Sequence, residues 1–242
     1  MMTVLDDKEL EHPPVECVFT TSEEIGLNGA QALDKSQITA RTMINMDSEE
    51  EGVATVSCAG GLRVQLTRKI ERVQAEGTLV QIKAEGLLGG HSGTDIDKER
   101  QNANLLMARM ADHLLKNTKG LLVNFAGGTK DNAITRSCKA TLVLGEEDLA
   151  EAKITAEKLQ KDLRTEYAGS DEGITISVTT GKEETVQALS MVSKEKVVFY
   201  LVHVPFGIEK MSGEIEGLVE TSSNLGILKL SLIHISEPTR RS

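Results

Sequence analysis

Hydrophobic and polar positions fall into two regimes along this chain, and the second is the more regular. Residues 78–85 alternate as a strand, and residues 102–115 set Ala103, Leu106, Met107, Met110 and Leu114 on one helical face. Residues 121–126 and 139–145 read as strands. A second amphipathic helix carries Leu149, Ala152, Ala156, Leu159 and Leu163, and residues 174–179 alternate again. The order β-α-β-β-α-β predicts a split, ferredoxin-like α+β arrangement, with helices stacked on one face of an antiparallel sheet. The apolar run at 196–204 is too short for its period to separate strand from helix. Before this region, residues 15–19 alternate and residues 41–46 carry Met43, Ile44 and Met46, so both read as strands. Thr21 is a candidate N-cap for a helix after the first of them, with Glu24 three residues on. Gly60-Gly61 marks the change of domain.

The candidate chemistry lies at the ends of those two early segments. Glu23 and Glu24 follow the first, and Asp47 opens an acidic cluster after the second. Adjacent carboxylates repel unless a cation or a proton resolves the conflict, so the two clusters point to bound metal ions. In an open α/β sheet the ligand crevice lies at the carboxyl ends of the strands, where parallel neighbours would bring Glu23, Glu24 and Asp47 together. A hydrolytic metal site needs carboxylates on the ion and one free carboxylate beside the bound water, a division that makes Glu24 a ligand and Glu23 the general base. Taken singly, each cluster has a blander explanation, a capping box in one case and a solvated acidic turn in the other. A capping box, however, uses only one of the two glutamates.

Five motifs occur in order: Thr-Thr-Ser-Glu-Glu-Ile-Gly from Thr20, Asn-Met-Asp-Ser-Glu-Glu-Glu-Gly from Asn45, Gly-Gly-His-Ser-Gly from Gly89, Asp-Asn-Ala-Ile from Asp131, and Leu-Val-Glu-Thr-Ser-Ser-Asn-Leu-Gly from Leu218. Together they resemble the aminoacyl-histidine dipeptidases (Xaa-His dipeptidase, peptidase D, carnosinase-like), a branch of the dizinc peptidases. The resemblance runs from about residue 1 to about residue 230. It implies an α/β fold made of a partial zinc-peptidase catalytic domain, residues 1–61, and a ferredoxin-like α+β lid and dimerisation domain, residues 62–230. By the same resemblance Glu23 is the catalytic base, Glu24 and Asp47 are metal ligands for a pair of Zn2+ ions, and His91 and Asn132 bind substrate. The expected reaction is hydrolysis of dipeptides of the Xaa-His type, by a homodimer formed through the lid. The alternative is a non-catalytic module that serves homodimerisation.

Bottom-up, the glycines around His91 free its imidazole to project, and a side-chain amide such as that of Asn132 orients a carbonyl without adding charge. Departures from the family pattern shape the rest. Thr135 stands where the family has proline, Glu220 and Asn224 match it without an evident chemical role, and Arg136 reads as structural. The family's His-x-Asp motif, bridging aspartate and late metal-binding histidine have no counterpart, so one carboxylate per metal remains where a zinc site wants at least three protein ligands. The expectation is therefore an internal fragment that holds zinc weakly and is inactive by itself, with residues 231–242 a non-native tail.

Charge narrows the partners. A formal net charge of −10 with pI ≈ 5.1 argues against nucleic acid and anionic membranes. Cys17, Cys58 and Cys138 are an odd set without CxxC spacing, which fits reduced thiols packed in the core of a cytoplasmic protein. No apolar run reaches the roughly 20 residues that span a bilayer.

Overall fold

A computed structural model describes residues 2–23, 26–45, 51–53 and 60–230. The chain divides into two units, Met1–Gly60 and Gly61–Ser242.

In the first unit two short helices form, α1 (Met2–Asp6) and α2 (Asn28–Ala32). The two expected strands do not. Residues 15–19 and 41–45 are irregular, and Phe19, Met43 and Ile44 are 62%, 90% and 81% exposed. Alternation gives a strand its two faces, but a strand exists only when a neighbour takes up its backbone groups, and among the described residues neither segment has a ladder partner. Residue 46 lies outside the described residues. The helix expected from Thr21 is likewise replaced by a turn: the Glu23 carbonyl accepts from the N–H groups of Gly26 and Leu27 at 3.2 and 3.0 Å, and Gly29 N–H donates back to Thr21 O at 3.0 Å. Ser22 and Leu27 both take left-handed φ, 59° and 58°, and that geometry delays the helix to Asn28. Further on, the Glu16 carboxylate accepts from the N–H groups of Thr39 and Ala40 and from the Thr39 hydroxyl, which holds it below the usual carboxylate range, the hydroxyl contributing most.

The second unit contains β1 (Arg72–Glu85), β2 (Gly90–His91), α3 (Ala103–Asn117), β3 (Leu121–Gly127), β4 (Ala133–Ile134), β5 (Cys138–Leu144), α4 (Leu149–Glu166), β6 (Thr175–Leu189), α5 (Met191–His203), β7 (Gly207–Met211), β8 (Val219–Ser223) and β9 (Leu228–Lys229). The main sheet runs β6-β1-β5-β3-β9 with every pair antiparallel. Its first four strands have the split order of a ferredoxin-like fold, the mixed α/β architecture expected. Helix and strand stripes meet in one core: Leu106, Met107, Met110 and Leu114 of α3, Ala152, Ala156, Leu159 and Leu163 of α4, and Val80, Ile82, Phe125 and Leu142 from the sheet. Each large apolar side chain buried this way contributes about 1.5–3 kcal/mol.

Two elements differ from the sequence pattern for physical reasons. Strand β6 continues ten residues past the expected end, because pairing with β1 from Thr175↔Glu85 to Leu189↔Arg72 carries it through a polar stretch that has no buried face. The ambiguous apolar run lies in α5, where Ser190 caps the first turn by accepting from Ser193 N–H at 3.3 Å, and Val198 and Leu201 face the core.

Candidate functional site

The motif around His91 and the motif around Asn132 are joined by a two-residue ladder. Strand β2 pairs with β4 in the register His91↔Ala133, and Ser92 N–H donates to Asn132 O at 2.9 Å. Sequence positions 41 residues apart are thus side by side, both exposed. Among the described residues the Asn132 amide makes no hydrogen bond of its own, so its donors and acceptor are free for a ligand.

The His91 ring is held from behind. Its Nδ1 accepts from the backbone N–H groups of Gly93 and Thr94 at 3.1 and 3.2 Å. The His91 N–H donates to Asp95 Oδ2 at 2.8 Å, and Asp95 N–H returns to His91 O at 3.0 Å. Lys98 Nζ on Asp95 Oδ1, and then the His91 N–H, hold the Asp95 carboxyl below its ordinary range. Two glycines make room for this. Gly90 has φ 146°, and a Cβ there would lie 2.6 Å from Asp95 Oδ2; a Cβ on Gly93 would lie 3.1 Å from the ring's Cε1. Arg136 donates to Leu87 O from Nε at 3.3 Å, and Arg100 donates to Gly89 O at 2.6 Å, so both guanidinium groups brace the backbone leading into the loop.

Beneath the ladder lies a buried polar network that the sequence did not reveal. Asn102, fully buried, caps α3 by accepting from Asn104 N–H at 2.9 Å, and its amide donates to Asn224 Oδ1 and Leu225 O, each at 3.0 Å. Asn224 in turn donates to Ala133 O at 2.9 Å, the carbonyl of the residue opposite His91. Thr135, in the family's proline position, is buried and donates its hydroxyl to Gly226 O at 2.8 Å, while its own carbonyl accepts Ala103 N–H at 2.8 Å. Asn104 donates to Thr135 Oγ1 and Leu225 O, but its Oδ1 has no hydrogen-bond donor among the described residues and faces the Cα of Gly127. Asn224 therefore has a structural role: it ties the fifth motif to the fourth. Glu220 pairs with Lys210 at 2.5 Å across the β7–β8 hairpin. The signal available beforehand was the coincidence of polar residues at the head of α3 with the late Ser-Ser-Asn motif.

The carboxylates stand differently. Glu23 is exposed in the turn described above, whereas Glu24 and Asp47 lie outside the described residues. Among the described residues no three of His, Cys, Asp and Glu gather closely enough to hold a metal ion. The described residues alone do not make a zinc site. Of the cysteines, Cys138 is buried and Cys17 partly exposed, and Cys58 lies outside the described residues. Among the described residues no helix is long and apolar enough to cross a membrane.

Comparison with known proteins gives this arrangement its class. Residues 82–171, the heart of the split sheet and its two helices, match the family described as the peptidase dimerisation domain. More narrowly, the resemblance to the aminoacyl-histidine dipeptidases is borne out: the chain is 31% identical over 232 residues to the cytosol non-specific dipeptidase of Escherichia coli (strain K12), covering 95% of this chain and 48% of that protein. The crystal structure of aminoacylhistidine dipeptidase from Vibrio alginolyticus superposes with a TM-score of 0.69 at 30% identity, over 95% of this chain and 47% of that one. The uncharacterized protein YqjE of Bacillus subtilis (strain 168) is 26% identical over 177 residues, 70% of this chain and 42% of that protein. The chain spans about half the length of the relatives it matches.

Proposed function

We propose that this chain is part of a cytoplasmic, zinc-dependent dipeptidase that hydrolyses dipeptides, including those with C-terminal histidine. Residues 1–61 would be a portion of its catalytic domain and residues 62–230 the lid. The observation that carries the reading is the His91–Asn132 pair: two polar groups, one with a backed imidazole and one with an unengaged amide, set side by side in a chain similar to dipeptidases over nearly its whole length. When bound, the zinc ions would polarise the scissile carbonyl and acidify water. Glu23 would take the proton from that water and return it to the leaving amine, with Glu24 and Asp47 as metal ligands. His91 donates to the oxygen that gains charge, and Asn132 fixes the peptide's orientation. With one carboxylate per metal, this chain alone binds zinc weakly and turns over little or no dipeptide.

Zinc titration by calorimetry, with hydrolysis of an Xaa-His dipeptide followed in parallel, tests this. Weak or absent binding without turnover is expected. Tight two-site binding would overturn the reading that one carboxylate per metal is too few. A second reading, a non-catalytic module for homodimerisation, is favoured by the dimerisation-domain match alone. Joining the chain to both the upstream and the downstream segments of a relative separates the two, since only the hydrolytic reading expects that hybrid to gain activity that Glu23→Gln abolishes.

A further inference from the structure

The loop that follows β2 holds the His91 ring by more contacts than a surface histidine needs. Two backbone N–H groups converge on one ring nitrogen, Nδ1, at 3.1 and 3.2 Å. A nitrogen that accepts cannot carry a proton, so in the neutral ring the only proton sits on Nε2. What brings the amides of Gly93 and Thr94 under the ring is the closure of residues 91–95, and both bonds of that closure run between His91 and Asp95: His91 N–H to Asp95 Oδ2 at 2.8 Å, and Asp95 N–H to His91 O at 3.0 Å. Asp95 is anchored in its turn by Lys98 on Oδ1 and by Arg100, whose Nη1 lies 4.0 Å from Oδ2. Its carboxylate rests against the Cα of Gly90, where any side chain would collide with it.

We propose that Asp95 is the positioning residue of His91: by closing the 91–95 loop it directs two backbone amides onto Nδ1 and fixes the ring as the Nε2–H tautomer, an obligate hydrogen-bond donor toward the open side. The ligand this selects is an oxygen acceptor, a carbonyl or an oxyanion. The arrangement disfavours use of Nδ1 as a metal ligand or as a base, because its single lone pair is shared by the two amides. The functional consequence rests on the dipeptidase reading, in which His91 meets the peptide oxygen; the tautomer itself does not.

The test is a long-range 15N–1H correlation spectrum of the full chain, above the pH at which histidines titrate, with His91→Gln identifying the His91 signals by their loss. The wild type is expected to show one neutral tautomer, Nδ1 unprotonated and Nε2 protonated. Asp95→Ala should move the Nδ1 signal toward the average of the two tautomers, and Asp95→Asn, whose Oδ1 still accepts the His91 N–H, should restore it. Should Asp95→Ala unfold by circular dichroism, Gly93→Ala serves instead: its methyl presses on the ring 3.1 Å away and should release the same mixture with Asp95 in place. A mixed or Nδ1–H tautomer in the wild type overturns the proposal, as does an unchanged spectrum in the folded variants. The spectrum needs neither metal nor substrate. A chain that hydrolyses nothing leaves it standing, and a mixed wild-type tautomer leaves the hydrolytic reading untouched.

Discussion

Replacing Asn102 by Ala and by Asp separates two roles that one side chain combines. Its Oδ1 caps α3 on Asn104 N–H at 2.9 Å, and its Nδ2 donates to Asn224 Oδ1 and Leu225 O, both at 3.0 Å, at a fully buried position. Asn102→Ala removes a cap, about 1 kcal/mol, and leaves Asn224 Oδ1 without its donor at a further cost of about 1–3 kcal/mol. Leu225 O keeps Asn104 Nδ2 and so loses less. A destabilisation of about 2–4 kcal/mol follows. Asn102→Asp keeps an acceptor for the cap but turns the donor into a second acceptor, a buried carboxylate facing two oxygens. It should be the worse variant at neutral pH, by about 1 kcal/mol or more beyond Ala. The pH dependence has a definite sign. A carboxyl buried against two acceptor oxygens has its folded pKa raised, so the native state binds the extra proton; the charge-dependent part of the Asn102→Asp deficit is full above that raised value and is lost below the unfolded value near 3.9. With no Trp and two Tyr in the chain, urea unfolding is best followed by far-ultraviolet circular dichroism. If Asn102→Asp is as stable as the wild type at pH 7, the donor half of the amide contributes nothing and the network is only a helix cap.

Three further outcomes are expected. Gly127→Ala should lower stability by about 1–3 kcal/mol in thermal melts, because its Cβ would lie 2.1 Å from Asn104 Oδ1 and 2.9 Å from Cys138 Sγ; a silent substitution refutes that contact. Burial pushes the Cys138 thiol up to about 12, so iodoacetamide at pH 8 should spare Cys138 in the native chain and modify it after unfolding, as mass spectrometry of its peptide would show. Arg109 chelates Glu166 at 3.1–3.2 Å and, with the Tyr167 hydroxyl, holds that carboxyl below the usual glutamate range. The stability this contributes is present above the ordinary glutamate pKa and is lost as pH falls through the lowered one. Glu166→Gln should therefore cost less than about 1 kcal/mol at pH 7, since the pair is well exposed, and the difference from wild type should disappear in acid.

The split sheet and its helices were legible because the apolar stripes of α3 and α4 serve one core, with Ile154 the exposed exception on α4, so a single period describes each helix. Helix α5 was ambiguous for the opposite reason: Val192, Phe199, Tyr200 and Val202 are exposed while Val198 and Leu201 are buried, and an apolar helix surface erases its own period. Residues 15–19 have a strand's composition without a strand's partner, and only pairing decides. Alternation also stops at residue 179, although β6 does not, for the same reason in reverse. At the site, Gly-Gly-His-Ser-Gly announced a freed imidazole, yet nothing in those five letters shows that Asp95 closes the loop behind it. The Asn102–Asn224 contact joins residues far apart in sequence, where two asparagines look like two caps. The fate of the acidic trio turns on Glu24 and Asp47, which lie outside the described residues.

The sheet's two borders are unequal. Along β3 and the residue before it, one carbonyl after another is taken by a group from elsewhere: Gly120 O by Lys194 Nζ, Val123 O by Arg72 Nη1, Phe125 O by Leu230 N–H, and then Ala126 and Gly127 by β9. The opposite border is β6, guarded along its middle by the charges of Lys182, Glu183 and Glu184. Among the described residues β3 is thus largely covered, and β6 is the long border at which another strand can join. Lateral addition across a two-fold axis at β6 would use that border up on both copies.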